Sequence, residues 1–344
     1  MEKEHIAVVV KNAGSHYELS ELPAWELFPA VLRGKIRLKA SAITNPVAVG
    51  DRVRYEPAAT GKATVTGQAA ATGKAAGVGK DAAAGKAGAK GAPVDAAVIT
   101  EVLPRKNYVI RRSTNLSRQA HIIAANIDRA FLVVSLYFPE LKLPFLDRIL
   151  VTCEVYGIPV TIVLSKTDLY RESAQEEIDR FKAIYESAGY PVIETSVRTG
   201  EGIEELRKAC CNQINLFSGE SGVGKSSLIK ALDPSLDPKI GTISTAHLQG
   251  RHTTSLYEMY PLSSGGWVID SPGLRGFGLV DLEKEEIARY FPEMLRAAAH
   301  CRFTPCTHTH EPGCAVKEAV EQGIISAERY NSYLGMLEED KKFR

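Results

Sequence analysis

No run of about 18 apolar residues occurs anywhere in the 344-residue chain, so no segment is long and apolar enough to cross a bilayer as a helix. The opening MEKEHIAVVVKNAG is charged before it turns strand-like and does not read as a secretory leader. Both absences point to a cytoplasmic protein without a membrane partner. Net charge is almost missing as well: 42 Lys and Arg face 41 Asp and Glu, a formal +1. That balance hides an asymmetry. Residues 1–118 hold 18 basic and 10 acidic side chains, an excess of +8, while the remainder carries −7, so one end of the chain suits a polyanion such as nucleic acid. Cysteine is sparse, with six in all. In a reducing compartment these are thiols or metal ligands rather than disulfides. Cys153, Cys210 and Cys211 fall in helix-patterned segments and read as small buried residues, whereas the other three cluster between Cys301 and Cys314.

The length supports two or three domains, each with its own core. The first 110 or so residues read as five short strands separated by turns: IAVVV, HYEL, AVLRGKIRLKA, VAVGDRVRYE and AAVITEVLP. Five such strands predict a small closed β-barrel of the oligonucleotide-binding (OB) type over residues 1–118. The stretch 58–93 within it is almost wholly Ala, Gly, Thr and Lys and has nothing to anchor a core, which predicts a mobile insertion. The pattern then changes to apolar strands alternating with helix-like runs (RAFLVVSL, PVTIVLS, PVIETS, QINLFSG, GWVIDSPG), which predicts an α/β domain with a largely parallel sheet over 119–279. Residues 280–344 read as mostly helical, interrupted by the Cys-rich stretch.

FSGESGVGKSS, Phe217 to Ser227, has the spacing of a phosphate loop. Its glycines let backbone N–H groups close around phosphate oxygens, Lys225 reaches the β and γ phosphates, and the Ser226 hydroxyl ligates Mg²⁺. An apolar strand precedes it and a helix-like run, SSLIKAL, follows. Gly219, Glu220, Ser221, Gly222, Val223, Gly224, Lys225, Ser226 and Ser227 are therefore all candidate nucleotide contacts. WVIDSPG supplies the second half: Asp270 at a strand end holds Mg²⁺ through water, and Gly273 offers its N–H to the γ phosphate. DSPG alone would be ordinary turn chemistry; its place after a Val/Ile strand makes the difference.

SKTDL decides which base is read. Ser165 stands where such motifs usually carry Asn, Lys166 lies under the purine, Thr167 follows, and the Asp168 carboxylate accepts from guanine N1 and N2, which adenine cannot match. A second loop, ETSVRTGEGIEEL, brings the Ser196 and Val197 backbone to the guanine O6. GRHTTS, Gly250 to Ser255, sits where a first switch belongs; Thr254, or Thr253, would close on Mg²⁺ and the γ phosphate. Leu274 next to DSPG cannot orient water, so slow intrinsic hydrolysis is expected and His252 becomes the candidate water-positioning group, with contact to a partner's phosphate as its other reading. Cys301-x4-Cys306-x-His308-x5-Cys314 offers three thiolates and one imidazole, a set suited to a closed structural Zn²⁺ site; His310 and His300 are rivals for the fourth place.

These motifs, together with GDRV at Gly50 to Val53, LPRKN at Leu103 to Asn107 and AANID at Ala124 to Asp128, resemble the ribosome-small-subunit-dependent GTPase A family, circularly permuted GTPases of 30S ribosomal subunit biogenesis. The resemblance covers nearly the whole chain apart from the 58–93 insertion. It implies an OB domain on 16S rRNA, a central permuted GTPase domain whose GTP hydrolysis to GDP is stimulated by the 30S subunit and coupled to release, and a C-terminal domain with zinc on Cys301, Cys306, His308 and Cys314. Arg33, Lys35, Arg37, Arg52, Arg54, Arg105, Lys106, Arg111 and Arg112 are the barrel region's candidate RNA contacts. A monomer is the default expectation. The alternatives are a phosphotransferase for a small molecule, which the guanine-type SKTDL disfavours, and a guanine-nucleotide-binding RNA scaffold with little turnover.

Overall fold

The computed structural model describes residues 4–14, 16–34, 46–58, 96–112, 120–236, 258–270 and 282–338. Strands β1 (Ile6–Ala13), β2 (His16–Ser20), β3 (Phe28–Leu32), β4 (Arg52–Glu56) and β5 (Ala97–Val102) close a barrel in the order β1-β2-β3-β5-β4. β3 and β5 run parallel and the other pairs antiparallel, the arrangement expected of the OB barrel. β1 shows why IAVVV does not alternate with polar residues. Ala7 and Val9 fill the barrel with Leu19, Val53 and Ile99. Val8 and Val10 point the other way, into a cluster with Val109, Ile123, Ile127 and Met259, so the strand is buried on both faces.

A hairpin of β6 (Tyr108–Arg112) and β7 (Ala120–Ala125) leads out of the barrel and pairs residues on both sides of position 118. It is welded to its neighbours by the residues of GDRV, LPRKN and AANID. Ala125 N–H donates to Val49 O at 2.9 Å and the Asn126 side chain to Gly50 O at 2.9 Å. Gly50 has φ +88°, and a Cβ there would meet Ala125 O at 2.0 Å, so only glycine admits this approach. The Asn107 amide brackets Ile127, accepting from its N–H and donating to its C=O, both at 2.8 Å.

A six-stranded sheet follows: β8 (Arg129–Val134), β9 (Val160–Ser165), β10 (Val192–Thr195), β11 (Ile214–Gly219), β12 (Met259–Pro261) and β13 (Trp267–Asp270), in the order β10-β9-β8-β11-β13-β12. All neighbours are parallel except the edge strand β12. β8 and β9 are apolar along almost their whole length because helices cover both faces of such a sheet. Those helices are α1 (Leu143–Val155), α2 (Gln175–Ala188), α3 (Ile203–Cys210) and α4 (Lys225–Leu232).

A 3-10 turn at Lys284–Tyr290 and helices α5 (Pro292–Ala298), α6 (Ala315–Glu321) and α7 (Ala327–Glu338) form the C-terminal module. Phe291, Met294, Val316, Ile325 and Tyr333 build its core, into which α1 inserts Val151. The junction also buries charge. Arg329 on α7, 1% exposed, bonds Asp147 of α1 at 2.7 Å and Glu293 of α5 at 2.8 and 3.2 Å. Its guanidinium stacks 4.6 Å from the Phe291 ring centroid. Among the described residues no helix is long and apolar enough to cross a membrane.

Candidate functional site

Parallel strands deliver their carboxyl ends to one edge, and the loops leaving β9, β10 and β11 meet there. The chain between β11 and α4 is the phosphate loop. Gly219 is required by close packing: a Cβ would lie 2.3 Å from Val133 O of β8. Lys225 opens α4 and is buried; its Nζ donates to Gly219 O at 2.6 Å and Glu220 O at 3.0 Å. The ammonium thus already lies against the loop that phosphates would fill. Ser226 is half-buried, and Ser221, Gly222 and Ser227 are exposed.

SKTDL is fastened directly to this loop. Ser165 Oγ lies 2.9 Å from Val134 O and 2.6 Å from Val223 O, and the Tyr170 hydroxyl holds the Ser165 carbonyl at 2.8 Å. A hydroxyl has one proton, so it serves one of the two carbonyls at a time. It nevertheless bridges the base-reading strand to the phosphate loop, the place where Asn was expected. Lys166, in the left-handed region at φ 61°, donates to Gly222 O and to Phe138 O. Thr167 Oγ1 ties this turn to Thr195 O at 3.2 Å. Asp168 accepts from Ser196 Oγ at 2.6 Å and lies 2.9 Å from Arg198 Nε. The structure therefore brings Ser165, Lys166, Thr167, Asp168 and Ser196 together with residues 219–227. Val197, in the same loop, is exposed.

The backbone of Asp270 pairs with Phe217 at the end of β13, beside the phosphate loop. Its side chain, and His252, Thr253, Thr254, Gly273 and Leu274, lie outside the described residues, as do residues 59–93 of the insertion.

In the C-terminal module the sulfur and nitrogen atoms of Cys301, Cys306, His308 and Cys314 all lie within 4.8 Å of one another. A tetrahedral zinc with Zn–S near 2.3 Å sets its sulfurs about 3.8 Å apart. Cys301 and Cys314 Sγ are 3.9 Å apart, and His308 Nδ1 is 3.4 and 3.6 Å from them, so the set fits a four-coordinate cation closed to solvent. Burial pushes the Cys306 thiol up to about 12 and the His308 imidazole below its ordinary value. His310 is exposed and turned to Thr309, apart from the cluster. Burial would raise the Glu311 pKa, but hydrogen bonds from Thr307 and Thr309 prevail and hold it at about 2. That carboxylate staples the ligand loop.

The barrel cations are less available than their exposure in sequence suggested. Arg105 forms a two-point pair with fully buried Asp51, Nε–Oδ1 at 2.6 Å and Nη2–Oδ2 at 2.7 Å, which gives it an internal role. Arg33 pairs with Glu56, Arg54 with Glu101 and Glu4, and Lys106 with Asp128. Arg52 is exposed with no ion pair among the described residues. Lys35 and Arg37, and the side chains of Arg111 and Arg112, lie outside them. Sequence reasoning missed Arg198, Arg171 and Arg329. Arg171 pins the base loop by bonding Glu194 at 2.8 Å and Glu201 at 2.6 Å, a pairing no local pattern announces.

Comparison with known proteins places this geometry. Residues 102–280 match a family model described as RsgA GTPase. A Bacteroides fragilis protein named small ribosomal subunit biogenesis GTPase RsgA is 42% identical over 339 residues, 98% of each chain. The Flavobacterium psychrophilum protein of the same name is 42% identical over 333 residues, 97% of this chain and 92% of the relative. The crystal structure of YjeQ from Thermotoga maritima superposes with a TM-score of 0.73 at 30% identity, covering 97% of this chain and 98% of that one. YloQ, titled a circularly permuted GTPase, matches in fold with a TM-score of 0.67 at 24% identity, covering 98% of this chain and 94% of that one.

Proposed function

The chain belongs to the RsgA GTPase family, and from that premise we propose that it binds the small ribosomal subunit, hydrolyses GTP there and departs once the γ phosphate is gone. It is a GTPase of small-subunit biogenesis. The observation that carries this reading is the pair of bonds from Ser165 to Val223 O and from Lys166 to Gly222 O. They make the guanine-type SKTDL and the phosphate loop one continuous site, which neither a small-molecule phosphotransferase nor a separate base pocket would need.

The parts act as follows. Asp168 accepts from guanine N1 and N2, Ser196 holds that carboxylate in place, and Val197 offers its backbone to O6. Lys225 exchanges two neutral carbonyls for phosphate oxygens, a stronger charge-assisted set of bonds. Ser226, Thr254 and Asp270 would hold Mg²⁺, whose charge would offset the charge that develops on the phosphates. Gly273 contacts the γ phosphate and His252 positions water when the protein is on the subunit. Cys301, Cys306, His308 and Cys314 hold a structural zinc. The barrel touches 16S rRNA through Arg52, Lys35 and Arg37, with the paired Arg33, Arg54 and Lys106 contributing by exchanging carboxylate for phosphate. The protein works as a cytoplasmic monomer, in three units: 1–118, 119–279 and 280–344.

Steady-state GTP hydrolysis by the purified protein, alone and with 30S particles, tests this, with 50S particles and ATP as controls. A large rise for GTP with 30S alone is expected. No rise with any particle would leave a guanine-nucleotide-binding scaffold as the better account.

A further inference from the structure

Two groups already occupy the carboxylate that reads the base, and they differ in kind. Ser196 is fully buried, and its Oγ, which donates to Asp168 Oδ1, also accepts the Thr199 N–H at 3.1 Å; the loop itself fixes it. Arg198 reaches Asp168 Oδ2 at 2.9 Å from a side chain 71% exposed, whereas the Asp168 side chain is 8% exposed. The other carboxylates of this corner are engaged elsewhere: Glu194 by Arg171 and Lys182, Glu201 by Arg171. Asp168 is thus the partner left to Arg198 in this loop.

Guanine presents N1–H and N2–H to a carboxylate as two parallel donors in one plane, which requires the outward edge of both oxygens. A guanidinium is a planar donor of the same type and carries a full charge. Ser196 is fully buried and fixed by its loop, whereas Arg198 is mostly exposed and meets Asp168 by one Nε–Oδ2 ion-pair contact at 2.9 Å, so the arginine is the neighbour that can leave. We propose that Arg198 is a latch on the base pocket: its guanidinium pairs with Asp168 Oδ2, guanine must displace it to use that oxygen, and Arg198 thereby sets how fast and how tightly guanine nucleotides bind. This inference rests on Asp168 being the guanine acceptor. The latch is a brake and not a block, because an ion pair with one exposed partner is weak, equivalent to at most about a fivefold change in affinity.

The test is stopped-flow binding of fluorescent GDP to the full-length protein and its Arg198→Ala and Arg198→Lys variants, at low salt and in 1 M salt. Arg198→Ala should associate faster and bind roughly two- to fivefold tighter at low salt, with Arg198→Lys between it and the parent protein. The difference should close in 1 M salt, where an exposed pair is screened; a loss of loop structure would not respond in that way. Equal or weaker binding by Arg198→Ala at low salt overturns the latch. Asp168→Asn, assayed against guanine and xanthine diphosphates, separates the two levels. If it keeps its preference for guanine, the base-reading assignment and the latch both fall. If it switches to xanthine while Arg198→Ala gains nothing, only the latch falls.

Discussion

Replacing Arg329 with Met removes the buried cation shared by Asp147 and Glu293 at the junction between the sheet domain and the C-terminal module while keeping a long apolar stem against Phe291. What remains is Asp147, completely buried, and Glu293, 6% exposed, facing each other without a counter-charge. Burial already pushes the Asp147 carboxyl above the usual carboxylate range even with Arg329 present. Breaking a buried ion pair from one side is destabilising by about 3–5 kcal/mol. The loss has a ceiling, because an orphaned carboxylate can take up a proton instead. Neutralising one Asp at pH 7 costs about 4 kcal/mol, at 1.4 kcal/mol per unit above an ordinary pKa near 3.9. At pH 5.5 the same ceiling falls to about 2 kcal/mol. The sign is therefore definite: the raised carboxyl gives a variant that is most impaired at neutral pH and recovers as pH falls toward 5.5. Urea unfolding followed by far-UV circular dichroism at both pH values measures this, and Asp147→Asn added to Arg329→Met should restore part of the loss at pH 7. A destabilisation below about 1 kcal/mol, or one that does not change between the two pH values, would refute the assignment of a charged, water-excluded hub.

Lys225→Ala should weaken GTP binding by about 1.5–3 kcal/mol, roughly ten- to a hundredfold, because the only groups taking its place against the phosphates are neutral N–H donors; isothermal titration reads this directly. Cys306→Ser should reduce bound zinc from about one ion per chain to near none and expose α5–α7 to trypsin, while GTP affinity stays within about twofold, as measured by elemental analysis, digestion and titration. Asp233, at the end of α4, accepts from Ser235 N–H at 3.0 Å and Oγ at 2.6 Å and from Ser263 N–H at 2.6 Å; burial would raise its pKa, but these bonds prevail and lower it. A lowered folded-state pKa means stability present above about pH 4 and lost as pH falls below it, so the melting gap between the parent and Asp233→Asn should be constant from pH 7 to 5 and narrow only below about 4.

The chemistry-bearing stretches were legible because each needs a local spacing. Gly219-x4-Gly224-Lys225-Ser226 is one turn between a strand and a helix, and Cys301 to Cys314 is one loop, so residue type and interval carry the geometry. The barrel was legible from its turns and the parallel sheet from its apolar strands. What escaped was pairing across distance. Arg105 looked like an RNA contact in an exposed LPRKN, but its partner Asp51 lies 54 residues earlier, and only the fold shows that a fully buried carboxylate claims it. Arg329 sits in AERYNSYLGMLE, a helix with low apolar content, and nothing in that string marks one arginine as buried; its acids come from Asp147 and Glu293, 182 and 36 residues away. Ser165 departs from the usual Asn, and no local pattern shows that in space its hydroxyl meets Val223 O, because β9 lies only one strand away from β11.

That neighbourhood also explains how the phosphate loop can follow the base-reading strand in sequence. β9 and β11 flank β8, all three run parallel, and their carboxyl ends open on the same edge, so the site is built from spatial order and is indifferent to chain order. What the order does decide is which bodies are attached to the sheet. Entry is through the barrel and hairpin, fastened at Asp128, whose N–H and carboxylate both bond Ile214 at the start of β11 at 2.9 Å. Exit, past β13, is into the zinc-type module that grips α1 through Val151 and Asp147. The barrel makes a second contact: Lys11 of β1 bridges Glu258, just ahead of β12, by backbone pairing and by a 3.2 Å ion pair. Glu258 lies three positions after the end of GRHTTS. The segment that would answer to the γ phosphate is therefore continuous with a residue held by the barrel. The DSPG segment leads into the module at the other end. A chain beginning at the phosphate loop would place that loop, rather than β8, directly after the hairpin, and the two attached bodies would no longer bracket the sheet.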